Sequence, residues 1–459
     1  MKRTVAASLL LTLAGGALAL GFYSAWVERE YRRLISLGQT ALSRDDTFAA
    51  IEAFSGAIAL KPDSMLAHLK RGETYRRRND DVAAFRDLRE ASRLDPTATW
   101  PLEQLGDLNL QRRWYARAAE LYTSYVNLDD RSARVLYKLG LAHYRDGKCE
   151  EALPILDRTL ALDGRFAEAH YLKALCLRDR GSNAAALAAL RTAVRLAPGL
   201  VPAREELADL YASLDRQREA IDQLDALRGL ESSRPERHIA VGLAHAQSGR
   251  SDLAVALLSG ATERFAGHPS VHAALARVWL QVAEARGDRV ALGRALAALD
   301  TVDVEPTADS ASLALLGRAL ILDGRLLDAE RALKDATRKD PVDRGAFALL
   351  ADVAERLRHY EVARDAWLKH ACLTGDPSGR SVAAHLGELS LSLGEPDVAV
   401  GWFARAIEAD RRPDAASLVR LADAQLKAGQ TEPARASLSR ALAIEPDNPA
   451  GRRLARRLR

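Results

Sequence analysis

The chain has 459 residues, with 66 basic against 62 acidic side chains, a formal net charge of +4 and only 5% aromatic residues. A balance this even gives no general push toward nucleic acid, and three cysteines without metal-ligand spacing build neither a zinc site nor a disulfide framework. No stretch alternates with period two for long, which excludes a sheet-based fold and leaves helices rich in Ala and Leu.

At the N-terminus, Lys2 and Arg3 precede an uncharged run over residues 4–27 that closes on Phe22, Tyr23 and Trp26 and is followed by Glu28, Arg29 and Glu30. Its 24 residues exceed the roughly 20 that cross a bilayer, and aromatic residues at its edge suit a membrane interface. A cleaved signal peptide is the competing reading, with Lys2-Arg3 as its basic start and Ala17-Leu18-Ala19 as its cleavage site. The apolar run continues past Ala19, which favours a retained anchor. Basic residues are nearly equal on the two sides. The expectation is a single pass through a bacterial inner membrane with the N-terminus inside and the remaining chain periplasmic, or a soluble exported protein after cleavage.

From residue 31 the chain repeats itself. The segment Leu136–Asp163 reads as two short amphipathic helices with Gly147 at the turn between them. Stepping by 34 from Gly140 gives Gly38, Gly72, Gly106, Gly140, Ala174, Ala208, Gly242 and Ala276. The phase then slips, and the small residue returns at Gly317, Ala351, Gly387 and Ala422. A second small residue follows each marker by twelve positions, at Ala50, Ala84, Ala118, Ala152, Ala186 and Ala220 among others. Small residues at both places let two helices approach closely. Pro62, Pro96, Pro198, Pro341 and Pro446 stop second helices, because proline cannot continue them. An insertion within 281–291 moves the eighth unit's second small residue to Ala295.

Period, small residues and terminal prolines together resemble the tetratricopeptide repeat (TPR), a 34-residue helix–turn–helix unit. The resemblance covers about nine-tenths of the chain. It implies an all-α, right-handed α-solenoid of about 12 units behind the N-terminal anchor or signal helix. The domain reading is 1–30 anchor or signal peptide, 31–302 repeats one to eight, 303–447 repeats nine to twelve, and 448–459 a basic capping helix. In that helix Leu454 and Leu458 face the array, while Arg452, Arg453, Arg456, Arg457 and Arg459 cover the outside, since terminal repeats need a polar face.

The resemblance also implies that first helices line a groove and that the residue after each marker points into it. Six of those twelve residues are acidic, Glu73, Asp107 and Asp209 among them. The Lys and Asn with which the family's carboxylate clamp grips acidic peptides are absent there, so the expected ligand is a peptide or protein of basic or mixed charge. On the same registration Trp100, Tyr137, Leu141, Tyr144, Tyr171 and Leu175 project into one patch, with Glu73, Asp107 and Asp209 at its edges. Exposed Tyr and Trp are typical binding anchors, so this patch is the candidate partner site. The plainer alternative is that some of these rings merely fill space between first helices.

No catalytic or phosphate-binding motif is present, and the histidines are scattered. The expectation is a non-catalytic scaffold with no cofactor, no metal, no small-molecule substrate and no nucleic-acid partner, gathering proteins for assembly, export or maturation of an envelope complex. A cytosol-facing membrane adaptor and an RNA-binding helical repeat are the alternatives. Cys149 and Cys176 stand in adjacent repeats, placed either to pair in an oxidising compartment or to serve as small core residues.

Overall fold

A computed structural model describes residues 2–303, 309–375, 380–409 and 414–458, with the side chains of 2–18, 301–303 and 380 outside the description. The described residues form α-helices joined by short turns, with no strand among them. They divide into two compact units, Met1–Arg216 and Gln217–Arg459.

The first unit contains α1 (Lys2–Ser43), α2 (Thr47–Leu60), α3 (Met65–Arg77), α4 (Asp81–Leu94), α5 (Thr99–Gln111), α6 (Tyr115–Leu128), α7 (Ala133–Arg145), α8 (Cys149–Leu162), α9 (Ala167–Asp179), α10 (Asn183–Leu196) and α11 (Val201–Ser213). The second contains α12 (Gln217–Leu230), α13 (Pro235–Gln247), α14 (Ser251–Arg264), α15 (Pro269–Arg286), α16 (Arg289–Asp303), α17 (Ser310–Asp323), α18 (Leu326–Lys339), α19 (Arg344–Arg356) and α20 (Tyr360–Thr374). It continues through α21 (Arg380–Ser392), α22 (Pro396–Glu408), α23 (Ala415–Lys427), α24 (Thr431–Ile444) and α25 (Pro449–Arg457). Each helix packs on the next, and first helices also touch the following first helix, as α3 touches α5 and α7 touches α9.

The turn inside each pair is set by one residue in the left-handed region. It falls on Asp45, Asn79, Arg113, Gly147, Gly181 and Asp215, with φ between 57° and 78°. Glycine occupies that region without penalty and Asn or Asp tolerates it, so Arg113 is the strained member. The prolines act as expected: α2, α4, α10, α18 and α24 each end two residues before one.

The marker glycines show why only a small residue fits. A Cβ on Gly106 would stand 2.5 Å from the Tyr122 ring, and one on Gly38 or Gly387 would meet Phe54 or Phe403 at 2.5 and 2.8 Å. At Gly72, Gly140, Gly242 and Gly317 the facing group is Leu88, Leu156, Leu258 or Leu333. Each facing side chain lies sixteen positions on, inside the second helix. The second set, Ala50, Ala84, Ala118, Ala152 and Ala220, is buried, which holds the helices close enough for these side chains to fill the gap.

The insertion in the eighth unit lengthens its first helix. α15 has 18 residues where most first helices have 13, and it ends on Gly287 at a φ of 64°. Ala295 is fully buried on α16. In α25, Leu454 is buried, Leu458 packs against the same core, and Arg452, Arg453, Arg456 and Arg457 are exposed.

The span expected over residues 4–27 falls in α1, and the side chains of its first fifteen residues lie outside those described. Among the described residues no helix is long and apolar enough to cross a membrane. Leu20, Phe22, Tyr23 and Trp26 are exposed on α1.

Candidate functional site

First helices α3, α5, α7, α9 and α11 carry the residues singled out in the sequence. Helical spacing puts Tyr137, Leu141 and Tyr144 on one face of α7, because residues three and four apart are neighbours. Tyr171 lies on the adjacent α9. All four are half-buried, and they sit together on a floor of Ala152, Leu156, Leu172 and Leu175. Leu175 is itself buried, so it forms part of that floor rather than of the surface. Tyr137 also leans on Phe166, a ring the sequence reading passed over, with centroids 4.9 Å apart and planes tilted by 40°.

Burial pushes the phenols of Tyr137, Tyr144 and Tyr171 above their ordinary range, with nearby carboxylates adding to the effect. None of the three hydroxyls hydrogen-bonds to another described residue. The charges around them are mixed. Glu168 and Glu206 face Arg145 and Arg178 across the rings, and Arg178 pairs with both Glu206 and Asp179.

The remaining candidates stand elsewhere on the unit. Trp100 is half-exposed on α5 and donates its indole N–H to Glu73 of α3, which also accepts from Lys70 at 3.0 Å. Asp107 accepts from the Tyr122 hydroxyl and from Lys138, each at 2.7 Å, and meets Arg76 at 3.5 Å. Asp209 is exposed on α11.

An ion-pair ladder thus runs along the first helices, and the sequence reading counted only its acidic half. Lys138 bridges Asp107 and buried Glu103, and Arg134 takes Glu103 with a second contact of 2.9 Å. In the second unit Arg318 clasps Glu284 at 2.7 Å, and Arg420 meets Glu388 at 3.1 Å. Partners lie 31 to 35 residues apart in most of these contacts. A base one repeat after an acid was therefore the available signal. It means that Glu73 and Asp107 are largely compensated from within.

No described group of three or more His, Cys, Asp or Glu side chains is placed to hold a metal ion. Cys149, Cys176 and Cys372 are free thiols. Burial, then the hydrogen-bonded Cys149 beside it, pushes the Cys176 thiol up to about 12.

Comparison with known proteins places this architecture. Residues 35–99, 137–201 and 314–380 match one model of the tetratricopeptide repeat, and 390–458 match a second, together more than half of the chain. The chain belongs to the tetratricopeptide repeat family. TPR proteins mediate protein–protein interactions by binding peptides or proteins, and the family is generally non-catalytic. This TPR chain is similar to DnaJ homolog subfamily C member 3 of Gallus gallus, 25% identical over 203 residues that cover 41% of this chain and 40% of that protein. It is similar to small glutamine-rich tetratricopeptide repeat-containing protein 2 of Mycosarcoma maydis, 34% identical over 105 residues covering 23% and 29%. The chain therefore spans less than half the length of either relative. Among solved structures it is similar to YrrB, described as a TPR protein with an unusual peptide-binding site. The identity is 21% and the TM-score 0.36, over 40% of this chain and 94% of that one.

Proposed function

We propose that the chain is a non-catalytic scaffold that takes peptide or protein partners on the first-helix surface of its first unit. The observation that carries this reading is the tyrosine patch on α7 and α9. Three half-buried rings stand on an apolar floor with their hydroxyls unbonded. Such a surface offers contact area already ordered by packing, plus hydrogen bonds that are unmade until a partner arrives.

Mixed charge around the rings supports a partner of basic or mixed character. The carboxylates most able to attract a basic partner are Asp209 and Glu168, because Glu73 and Asp107 already face cations. Residues 4–27 supply the envelope tether in this reading. Their apolar run and the exposed aromatic side chains at its end support a single pass through a bacterial inner membrane with the repeats periplasmic.

The binding proposal is tested by replacing Tyr137 and Tyr171 with alanine and comparing captured proteins from envelope extract. A partner lost from the variant while its helicity is retained supports the patch; an unchanged set of captured proteins refutes it. The tether is tested separately with reporters fused to the C-terminus. A periplasmic signal at full mass supports it. A periplasmic signal with about 2 kDa missing gives an exported protein cut near Ala19, and a cytosolic signal gives the adaptor instead.

A further inference from the structure

A second surface of the first unit carries an opposite electrostatic character. The turns between α1 and α2, α3 and α4, and α5 and α6 lie along one edge. On this edge Arg77, Arg78, Arg89, Arg113 and Arg117 are all exposed, and none forms an ion pair with a described residue. The carboxylates nearby are committed elsewhere. Asp46 and Asp80 cap α2 and α4 by accepting from the backbone N–H of Ala49 and Ala83 at 3.0 and 3.2 Å, and Asp81 pairs with Arg112.

Apolar side chains interleave with these guanidinium groups. Arg78 lies 3.9 Å over the ring of Phe48, which is 71% exposed. Phe85 stacks on Trp114 at 5.6 Å, with Arg89 on the outer side of one ring and Arg117 against the other. Val82 between them is 84% exposed. Guanidinium groups held flat on rings keep their N–H forks available for planar, bidentate acceptors.

The feature is local and is not a property of every repeat. In the fourth repeat the positions equivalent to Arg78 and Arg117 are Asp146 and Glu151. The ring faces of Phe85 and Trp114 are occupied by each other and by arginine, so they offer no free platform on which bases stack. A membrane is also poorly placed to reach this edge. It lies at the C-terminal end of α1, whereas the apolar run leaves from the other end, and Trp26 to Ser43 alone spans about 26 Å of helix.

We propose that this edge of repeats one to three binds an acidic, extended segment of another protein, a run of Asp or Glu interrupted by an apolar side chain. The carboxylates pair with the unpaired arginines, and the apolar side chain covers Phe48, Val82 or the exposed edge of Trp114. The site is distinct from the tyrosine patch and does not depend on it.

The test is fluorescence anisotropy of the full chain with a fluorescein-labelled decaglutamate peptide carrying one central leucine. A triple variant, Arg89→Ala with Arg113→Ala and Arg117→Ala, is expected to weaken binding about ten-fold, the loss falling as salt screens the wild-type attraction. Arg452→Ala with Arg453→Ala and Arg456→Ala removes as much charge from α25 and is expected to change binding less than about two-fold. Circular dichroism of both variants matches wild type, because every replaced side chain is exposed. Equal loss in the two variants overturns the proposal, as does absence of binding by wild type. Tighter binding of a 20-nucleotide single strand or of anionic vesicles than of the peptide overturns it in favour of those ligands.

Discussion

Replacing Gly106 with alanine isolates the contact that defines the repeat. The new Cβ meets Tyr122 Cε1 at 2.5 Å, well inside van der Waals contact. Tyr122 has no room to withdraw: it is fully buried, and its hydroxyl donates to Asp107 at 2.7 Å. Overpacking of this kind costs about 1–3 kcal/mol, while alanine in a helix interior returns about 1 kcal/mol relative to glycine. The net expectation is a loss of about 1–2 kcal/mol. Gly140→Ala is the matched control, since its Cβ meets only the end of Leu156, at 3.0 Å. A leucine methyl can shift by a few tenths of an ångström, so the helix gain and the crowding cost nearly cancel there. Urea denaturation gives the two stabilities, and hydrogen exchange of α5 and α6 amides localises the loss. If the Gly106 variant proves as stable as the Gly140 variant, the close-packing account of the marker glycines is wrong.

Burial, then Arg250, holds the His245 imidazole below its ordinary value of 6.5, with Asp225 opposing them. The unfolded chain therefore takes up a proton that the folded chain resists, so this contribution is full above about pH 6.5 and is lost as pH falls below it. Urea denaturation at pH 7.5 and 5.5 should show a smaller acid loss for His245→Gln than for wild type; equal losses would remove His245 from the account. Among the thiols, iodoacetamide at pH 7.5 should label exposed Cys372 readily and leave buried Cys176 unmodified in the folded chain, with mass spectrometry reading each site. Arg358 holds a φ of 61°, so Arg358→Gly should stabilise its unit by about 0.5–1 kcal/mol in urea denaturation; a loss would mean that its side chain contributes more than the turn strain costs.

Much of the architecture was legible because each repeat is a local unit whose register is written in small residues. Gly106 and Ala118 report a helix pair without any long-range information. The partner of the marker was less legible: Tyr122, Leu156 and Phe403 differ in kind although they occupy one position, so only the geometry shows that they fill the same gap. The acidic row at Glu73 and Asp107 was visible, but its neutralisation was not, because Arg76 and Lys138 become neighbours only when first helices stack. Leu175 illustrates a further limit. One residue past a marker predicts the groove direction, and local packing between α8 and α9 still decides whether that side chain reaches the surface. The arginine edge was hidden in the same way. Arg78 and Phe48 are 30 positions apart in sequence, and their contact depends on how α2 and α3 are joined and packed.

The measurement that bears most directly on the scaffold reading is site-specific photocrosslinking in cells. A benzophenone amino acid at Tyr171 places the reactive group in the tyrosine patch, and the same group at Arg191 places it on the exposed second helix of the same repeat. The account predicts a discrete cross-linked species from position 171, lost when Tyr137 is changed to alanine, and none from position 191. The same species from both positions, or none from position 171, would contradict it.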